Sequence, residues 1–177
     1  MGTRKLLLVI IGLLVALPVL CQEYPKAEVF GGYQFTRINP GGGASGENFN
    51  GWNAALTGNF NRSLGITADF SGAYKSISDV KFRQYTFLFG PAIASRSSES
   101  FTPFAHALFG GAHSSASVFG LSAGETAFAM ALGGGVDIGR GVFAARIGQF
   151  DYLMTRFGGE RQNDFRYSAG VVIRFGK

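Results

Sequence analysis

The chain is poor in the residues that most catalytic and metal chemistry draws on. It has one cysteine and two histidines among 177 residues. The cysteine, Cys21, closes an amino-terminal segment with the form of an export signal. Arg4 and Lys5 make a basic start, Leu6 to Leu17 an uncharged apolar run, and Pro18 to Cys21 the approach to a cleavage site. If Cys21 leaves with that segment, the mature chain has no thiol. Disulfides and thiolate chemistry are then excluded, even in an oxidising compartment. Lipidation of Cys21 is the competing reading and would change how the chain meets a membrane. The bulky Leu20 before it argues against that route. The two histidines, His106 and His113, have no clustered acids and make a poor metal site. A serine triad would need His113 beside Ser114 or Ser115, yet adjacent strand residues point to opposite faces. The expectation is therefore no enzyme activity, no cofactor and no metal.

Long apolar runs are also missing. The stretch from Leu6 to Leu17 is short for a spanning helix, and nothing after position 21 approaches twenty apolar residues. Charge of either sign is sparse too. The formal net charge of +5 falls to +3 without Arg4 and Lys5, which leaves 14 basic residues against 11 acidic ones. So small and dispersed an excess excludes a nucleic-acid binder as the default reading. The expected domains are a signal peptide over 1–21 and one folded domain over 22–177, a length suited to a single domain.

What the chain does have is 27 glycines and 18 phenylalanines, both well above ordinary soluble usage. The aromatics fall into alternating segments. In the last strand, Tyr167, Ala169, Val171, Ile173 and Phe175 share one face; Arg166, Ser168, Gly170, Val172 and Arg174 share the other. The spacing predicts eight strands: 27–37, 52–60, 64–74, 80–92, 101–113, 126–138, 142–156 and 165–175. In the third, Leu64, Ile66, Ala68 and Phe70 alternate strictly with Gly65, Thr67, Asp69 and Ser71. Tight turns are expected at 61–63, 95–100 and 139–141, with longer loops at 39–50, 75–79, 114–125 and 158–164. Pro91 is expected to end the hydrogen-bonded part of its strand. In the seventh strand Arg146 and Asp151 differ in parity, so turning both inward requires a β-bulge near Gly148.

Strands joined alternately by loops and tight turns make an up-and-down antiparallel sheet, and in lipid such a sheet has to close. The face opposite the aromatics holds Gly, Ala, Ser, Thr, Asn and Gln with isolated charges. A water-facing surface would be richer in Lys and Glu, so the pattern is apolar outside and polar inside. The expected fold is an all-β, eight-stranded antiparallel up-and-down transmembrane β-barrel, delivered to the bacterial outer membrane after signal-directed export.

The chain resembles the OmpA-like outer-membrane β-barrel domain family of Gram-negative bacteria across Lys26 to Phe175. The export signal, the eight alternating segments and the closing strand carry the resemblance. Ser168, Gly170, Ile173 and Phe175 are similar to the family's barrel-assembly signal, and Gly176-Lys177 depart from it by following the terminal aromatic. The resemblance implies outer-membrane lipid, barrel-assembly machinery and periplasmic chaperones as partners. It comes without the peptidoglycan-binding domain that larger members carry.

Eight strands leave an interior filled by side chains. Asp69, Arg83, His106, Asp137, Arg146, Asp151, Arg166 and Arg174, with Gln149, are the candidates for a lumenal charge network, since buried charges need partners. Arg83 is the weakest, because it shares parity with outward Tyr85. Tyr33, Trp52, Tyr74, Tyr85, Tyr152, Phe157 and Tyr167 are candidates for aromatic girdles at the lipid interfaces. Phe49 and Trp52 near the first loop, and Phe119 and Leu121 in the third, are the apolar candidates for an extracellular ligand. The expected function is a monomeric integral outer-membrane protein with a structural or surface-interaction role and a filled lumen. The alternatives are a narrow porin-like channel and, last, a lipid-modifying enzyme.

Overall fold

A computed structural model describes residues 24–39, 46–77, 80–118, 121–157 and 160–176. The expected signal segment, including Cys21, lies outside the described residues. Eight strands follow one another as β1 (Ala27–Ile38), β2 (Glu47–Asn59), β3 (Leu64–Ile77), β4 (Val80–Ala94), β5 (Phe101–Val118), β6 (Leu121–Ile138), β7 (Phe143–Phe157) and β8 (Glu160–Phe175). Each pairs antiparallel with the next, and β8 returns to β1, so the sheet closes into a barrel. Closure matters physically because it leaves no backbone edge unpaired in hydrocarbon.

Alternation decides which way each side chain faces. Val29, Leu56, Ile66, Phe70, Phe87, Phe89 and Phe128 stand on the outer wall, each at least 40 % exposed. Gln34, Asn53, Asp69, Gln84, Gln149 and Arg166 are buried on the inner side of the same wall. That is the reverse of a water-soluble barrel, and it makes the outer wall a lipid-facing surface. No helix among the described residues is long and apolar enough to cross a membrane; the crossing is made by strands.

The turns 60–63, 95–100 and 139–142 share one rim with the start of β1 and the end of β8, which is the periplasmic side in the usual arrangement. Gly141 has a φ of 66°, the left-handed conformation that a tight turn asks of glycine. At the other rim the strands run further than the alternation predicts. Residues 114–118 belong to β5 and 121–125 to β6, where a loop over 114–125 is expected. Likewise 47–50 belong to β2, 75–77 to β3 and 160–164 to β8. Above the lipid both faces of a hairpin meet water, so its backbone ladder continues with no apolar alternation to betray it. On the far side of this hairpin the ladder stops early. Pairing of β6 with β7 begins at Phe128–Arg156, so among the described residues 121–127 of β6 pair with β5 alone.

Two local departures from regular pairing have sequence causes. Pro91 does not end β4. Its pairing with β3 runs on to Ile93, while the β4–β5 ladder skips Gly90 and Pro91 and resumes at Ala92–His106. A missing N–H on one side interrupts one ladder only. In β7, Val136 pairs with Gly148 and Asp137 with Arg146, a shift that places one extra residue between Arg146 and Gln149. This bulge lets Arg146, Gln149 and Asp151 all face the lumen and turns Ile147 outward at 57 % exposure.

Candidate functional site

Period-two alternation carries one polar or charged residue from nearly every strand into a space that eight strands make just wide enough for side chains. Arg166 of β8 is wholly buried and reaches across it. Its Nη1 donates to Asp69 Oδ1 at 2.7 Å and its Nε to Asp151 Oδ2 at 2.8 Å. Asp69 Oδ2 accepts a hydrogen bond from Asn53 Nδ2 at 2.9 Å. Asp151 Oδ1 lies 2.7 Å from His106 Nε2, and Gln149 Nε2 donates to Asp151 Oδ2 at 2.8 Å. Gln149 Oε1 in turn accepts from Arg146 Nη1 at 2.7 Å. Arg146 closes the chain with a forked pair to Asp137, at 2.7 and 3.0 Å. Its guanidinium also packs on the rings of Phe30 and Phe104, 4.3 and 4.1 Å from their centroids. Two guanidinium groups and one imidazole thus answer three buried carboxylates, the pairing that burial demands.

On the loop side of this network, Leu88, Leu108, Ala112, Ala129, Ala131 and Leu153 form an apolar layer, each at most 1 % exposed. On the periplasmic side a second cluster forms. Glu28 accepts from Arg96 Nη2 at 2.6 Å, Asn59 Nδ2 at 3.0 Å and Arg174 Nε at 3.2 Å. A cavity of about 30 Å³ separates the two clusters, touching Glu28, Asp69, Arg96, His106, Asp137 and Arg146. It has room for about one water molecule.

The outer mouth is closed by different chemistry. Asp164 stands on the loop side of Phe165, whereas the spanning part of β8 runs from lipid-facing Phe165 to lipid-facing Phe175. Its Oδ1 accepts the backbone N–H of Asn39 at 2.8 Å, and Asn39 Nδ2 donates to Asn163 O at 2.8 Å. Asp164 Oδ2 is buried with no hydrogen-bond partner. Burial pushes this carboxyl up to about 6, and the Asn39 N–H offsets only part of that.

Several sequence candidates fall elsewhere. Arg83 is exposed on the outer wall, opposite Tyr74 and Ser115, because it keeps the parity of Tyr85; it is not part of the lumenal set. Phe49 is 8 % exposed and therefore packs within the mouth instead of presenting a surface. Phe119 and the side chain of Leu121 lie outside the described residues, as does the side chain of Phe157. Tyr33, Trp52, Tyr74 and Tyr85 lie side by side across β1 to β4, the last three joined by hydrogen bonds. Tyr33 donates to Asn50 Oδ1 at 2.5 Å, Trp52 Nε1 to Tyr74 Oη at 3.0 Å, and Tyr74 to Tyr85 at 3.4 Å. Tyr152 packs edge-on against Phe165 at 5.9 Å. Tyr167 does something different: it donates to Ile147 O at 2.9 Å and so satisfies a carbonyl of the β7 bulge. His113 Nδ1 lies 2.8 Å from Thr126 Oγ1. Among the described residues, no group of three or more His, Cys, Asp or Glu is placed to hold a metal ion.

In the assembly strand, Ser168 is buried, Phe175 faces lipid, and Gly170 lies directly across the β1–β8 seam from Gly32. A Cβ on Gly170 would come within 2.3 Å of Gly31 O, so the seam closes only around glycine. Glu28 and Arg96 were not among the sequence candidates for the charged interior. The parity of Glu28 with Gln34 and Thr36 is the signal that points it inward; Arg96 sits in a turn, where parity says nothing.

No protein-family model and no characterised protein sequence matches this chain. Solved structures do match its fold. The attachment invasion locus protein Ail of Yersinia pestis is 21 % identical, with a TM-score of 0.61 over 85 % of this chain and 99 % of that one. Neisserial surface protein A is 13 % identical, with a TM-score of 0.73 over 87 % and 100 %. The amino-terminal β-barrel domain of Pseudomonas aeruginosa OprF is 8 % identical, with a TM-score of 0.56 over 86 % and 100 %. At these identities the likeness is one of fold. It sets the chain beside small Gram-negative outer-membrane barrels in general and does not single out the OmpA-like family. The closed barrel, its apolar outer wall and this likeness place the protein in the outer membrane.

Proposed function

We propose that this protein is a plugged outer-membrane barrel whose work is done at its cell-exterior surface, as a structural and contact-making element and not as a pore. One observation carries the reading: Arg166 is wholly buried between Asp69 and Asp151, in the middle of the lumen, with an apolar layer beside it. An ion would have to break two charge-assisted pairs and then cross hydrocarbon. The sheet that rises above the lipid supports the same reading. Its residues Ser115, Ala116, Ser117, Ser122, Ala123 and Gly124 are small or polar, and among the described residues β6 has no β7 partner there. The solved structures of similar fold include proteins named for attachment and for the cell surface, which fits a contact role without specifying its partner.

The test is single-channel recording of the refolded protein in planar bilayers, beside heat-modifiable gel mobility. A heat-modifiable barrel in a silent bilayer is the expected result. Discrete, reproducible conductance steps from the same preparation would overturn the plug and make the lumenal charges a gated path.

A further inference from the structure

The outer face of β4, read from the extracellular rim inward, changes character in a fixed order: Lys81, Arg83, Tyr85, Phe87, Phe89. All five share one parity and so one face. Lys81 and Arg83 are exposed, Tyr85 is half-buried, and Phe87 and Phe89 stand in the lipid-facing wall. The two cations lie roughly 7 Å apart along the strand, the rise of two extended residues. Among the described residues, neither side chain forms an ion pair. The outward positions of β3, β4 and β5 hold no acidic residue. Across from Lys81 on β3 is Ser76; across from Arg83 are Tyr74 on β3 and Ser115 on β5.

A hydrogen-bond relay delivers a donor to the same place. Trp52 Nε1 donates to Tyr74 Oη at 3.0 Å, and Tyr74 donates in turn to Tyr85 Oη at 3.4 Å. Gly72 makes room for it, because a Cβ there would come within 2.7 Å of Trp52 Nε1 and 2.8 Å of Tyr74 Oη. Among the described residues the Tyr85 O–H has no acceptor of its own, and it stands two residues inward of Arg83 on the same face. Exposed cations, then an unspent hydroxyl, then aromatic rings: that order of depth matches phosphate, sugar and acyl chain in an anionic glycolipid. A guanidinium fork fits phosphate oxygens, and a tyrosine at the interface bridges polar and apolar layers. We propose that the outward face of β4 is a binding site for a phosphorylated glycolipid of the outer leaflet. Its phosphate sits between Lys81 and Arg83, a sugar oxygen accepts from Tyr85, and an acyl chain lies along Phe87 and Phe89. Charge complementarity selects the occupant, since nothing acidic on this face competes for the two cations. The site is on the outer wall and does not depend on how the lumen is filled.

The experiment is native mass spectrometry of the full barrel in detergent, titrated with bisphosphorylated lipid A or with the same lipid stripped of its phosphates. Phosphatidylglycerol and inorganic phosphate are titrated in parallel. One bisphosphorylated lipid A should be retained per barrel at about a tenfold lower concentration than the dephosphorylated form, the preference expected for two cations near a headgroup. The double variant Lys81→Gln/Arg83→Gln should lose that preference while keeping heat-modifiable mobility, since both side chains stand clear of the lumen. Tyr85→Phe keeps the ring and should weaken retention about threefold. Arg62→Gln/Arg140→Gln removes equal charge at the periplasmic rim and should leave the preference unchanged. Equal retention of the two glycolipids by the wild type would overturn the site, as would an unaltered preference in Lys81→Gln/Arg83→Gln. An equal loss in the periplasmic double variant would reduce the effect to net charge. Unaltered retention in Tyr85→Phe would remove the relay from the site. Phosphatidylglycerol held as tightly as lipid A would overturn the glycolipid in favour of any anionic lipid. Displacement by inorganic phosphate at similar concentration would overturn it in favour of a soluble anion.

Discussion

Buried charges in this barrel fall into two kinds, and the difference is whether a cation answers them. Asp69, Asp137 and Asp151 each meet a guanidinium at 2.7 or 2.8 Å, so ionisation there is matched. Among the described residues Asp164 meets one N–H, and its Oδ2 has no hydrogen-bond partner. Its carboxyl, pushed up to about 6 from an ordinary 3.8, binds its proton more tightly in the folded barrel than in the unfolded chain. The sign follows: ionisation of Asp164 opposes folding, fully above pH 6 and not at all below its unfolded value. Lowering the pH from 7.5 to 4.5 should therefore raise this contribution to stability. Asp164→Asn keeps an acceptor for Asn39 and removes the titration. The variant should exceed the wild type in unfolding free energy at pH 7.5, by on the order of 2 kcal/mol, with most of that gap closed at pH 4.5 and all of it only below the unfolded value. Parallel pH profiles for the two proteins would show that Asp164 stays ionised at no cost.

At the scale of the strand, one inserted residue fixes the chemistry of the lumen. Without the bulge at Ile147, Arg146 and Asp151 could not both face inward, because parity would send one of them to lipid. Deleting Ile147 removes the extra residue and leaves Arg146, Gln149 and Asp151 on one parity, so the ladder becomes regular with all three still facing the lumen. An added residue does the opposite. With pairing kept at the periplasmic end, an alanine inserted between Gly148 and Gln149 turns Gln149 and Asp151 outward, at about 2 to 4 kcal/mol for a charge near the bilayer centre, and strips Arg166 and His106 of a shared acceptor. The insertion should fail to give a heat-modifiable barrel under conditions where the Ile147 deletion folds. Equal folding of the two would mean that parity in β7 does not fix the chemistry of the lumen. The same parity explains what the sequence reveals. Strands were legible wherever lipid on one side and lumen on the other impose alternation, as in Leu64 to Tyr74, and the inward aim of Asp69, Asp151 and Arg166 follows from it. Residues 114–118 and 121–125 read as loop because water lies on both faces, so strand pairing there leaves no pattern in side-chain polarity. Arg96 was illegible for a related reason: turn residues have no face until the fold supplies one.

For the molecule as a whole, lumen and exterior sheet are separable parts, and that separation gives the contact role a direct test. The lumenal network and apolar layer draw on residues at or below Ala112 in β5 and at or beyond Ala129 in β6. Among the described residues, those of the rising hairpin, 114–118 and 121–125, contribute nothing to either and are held chiefly by their own β5–β6 ladder and by β4. Replacing residues 115–124 by a two-residue Asn-Gly turn should therefore leave heat-modifiability intact and change the unfolding free energy by about 1 kcal/mol or less, since exposed hairpin pairs are individually weak. What should go is whatever the exposed β6 backbone offers a neighbouring surface. Bacteria carrying the shortened barrel at unchanged surface level should lose adherence relative to those carrying the full chain, in an assay against immobilised host-cell or bacterial surfaces. Retained adherence would move the contact role to the other exterior connections. Loss of heat-modifiability would show that the sheet above the membrane and the barrel within it fold as one unit.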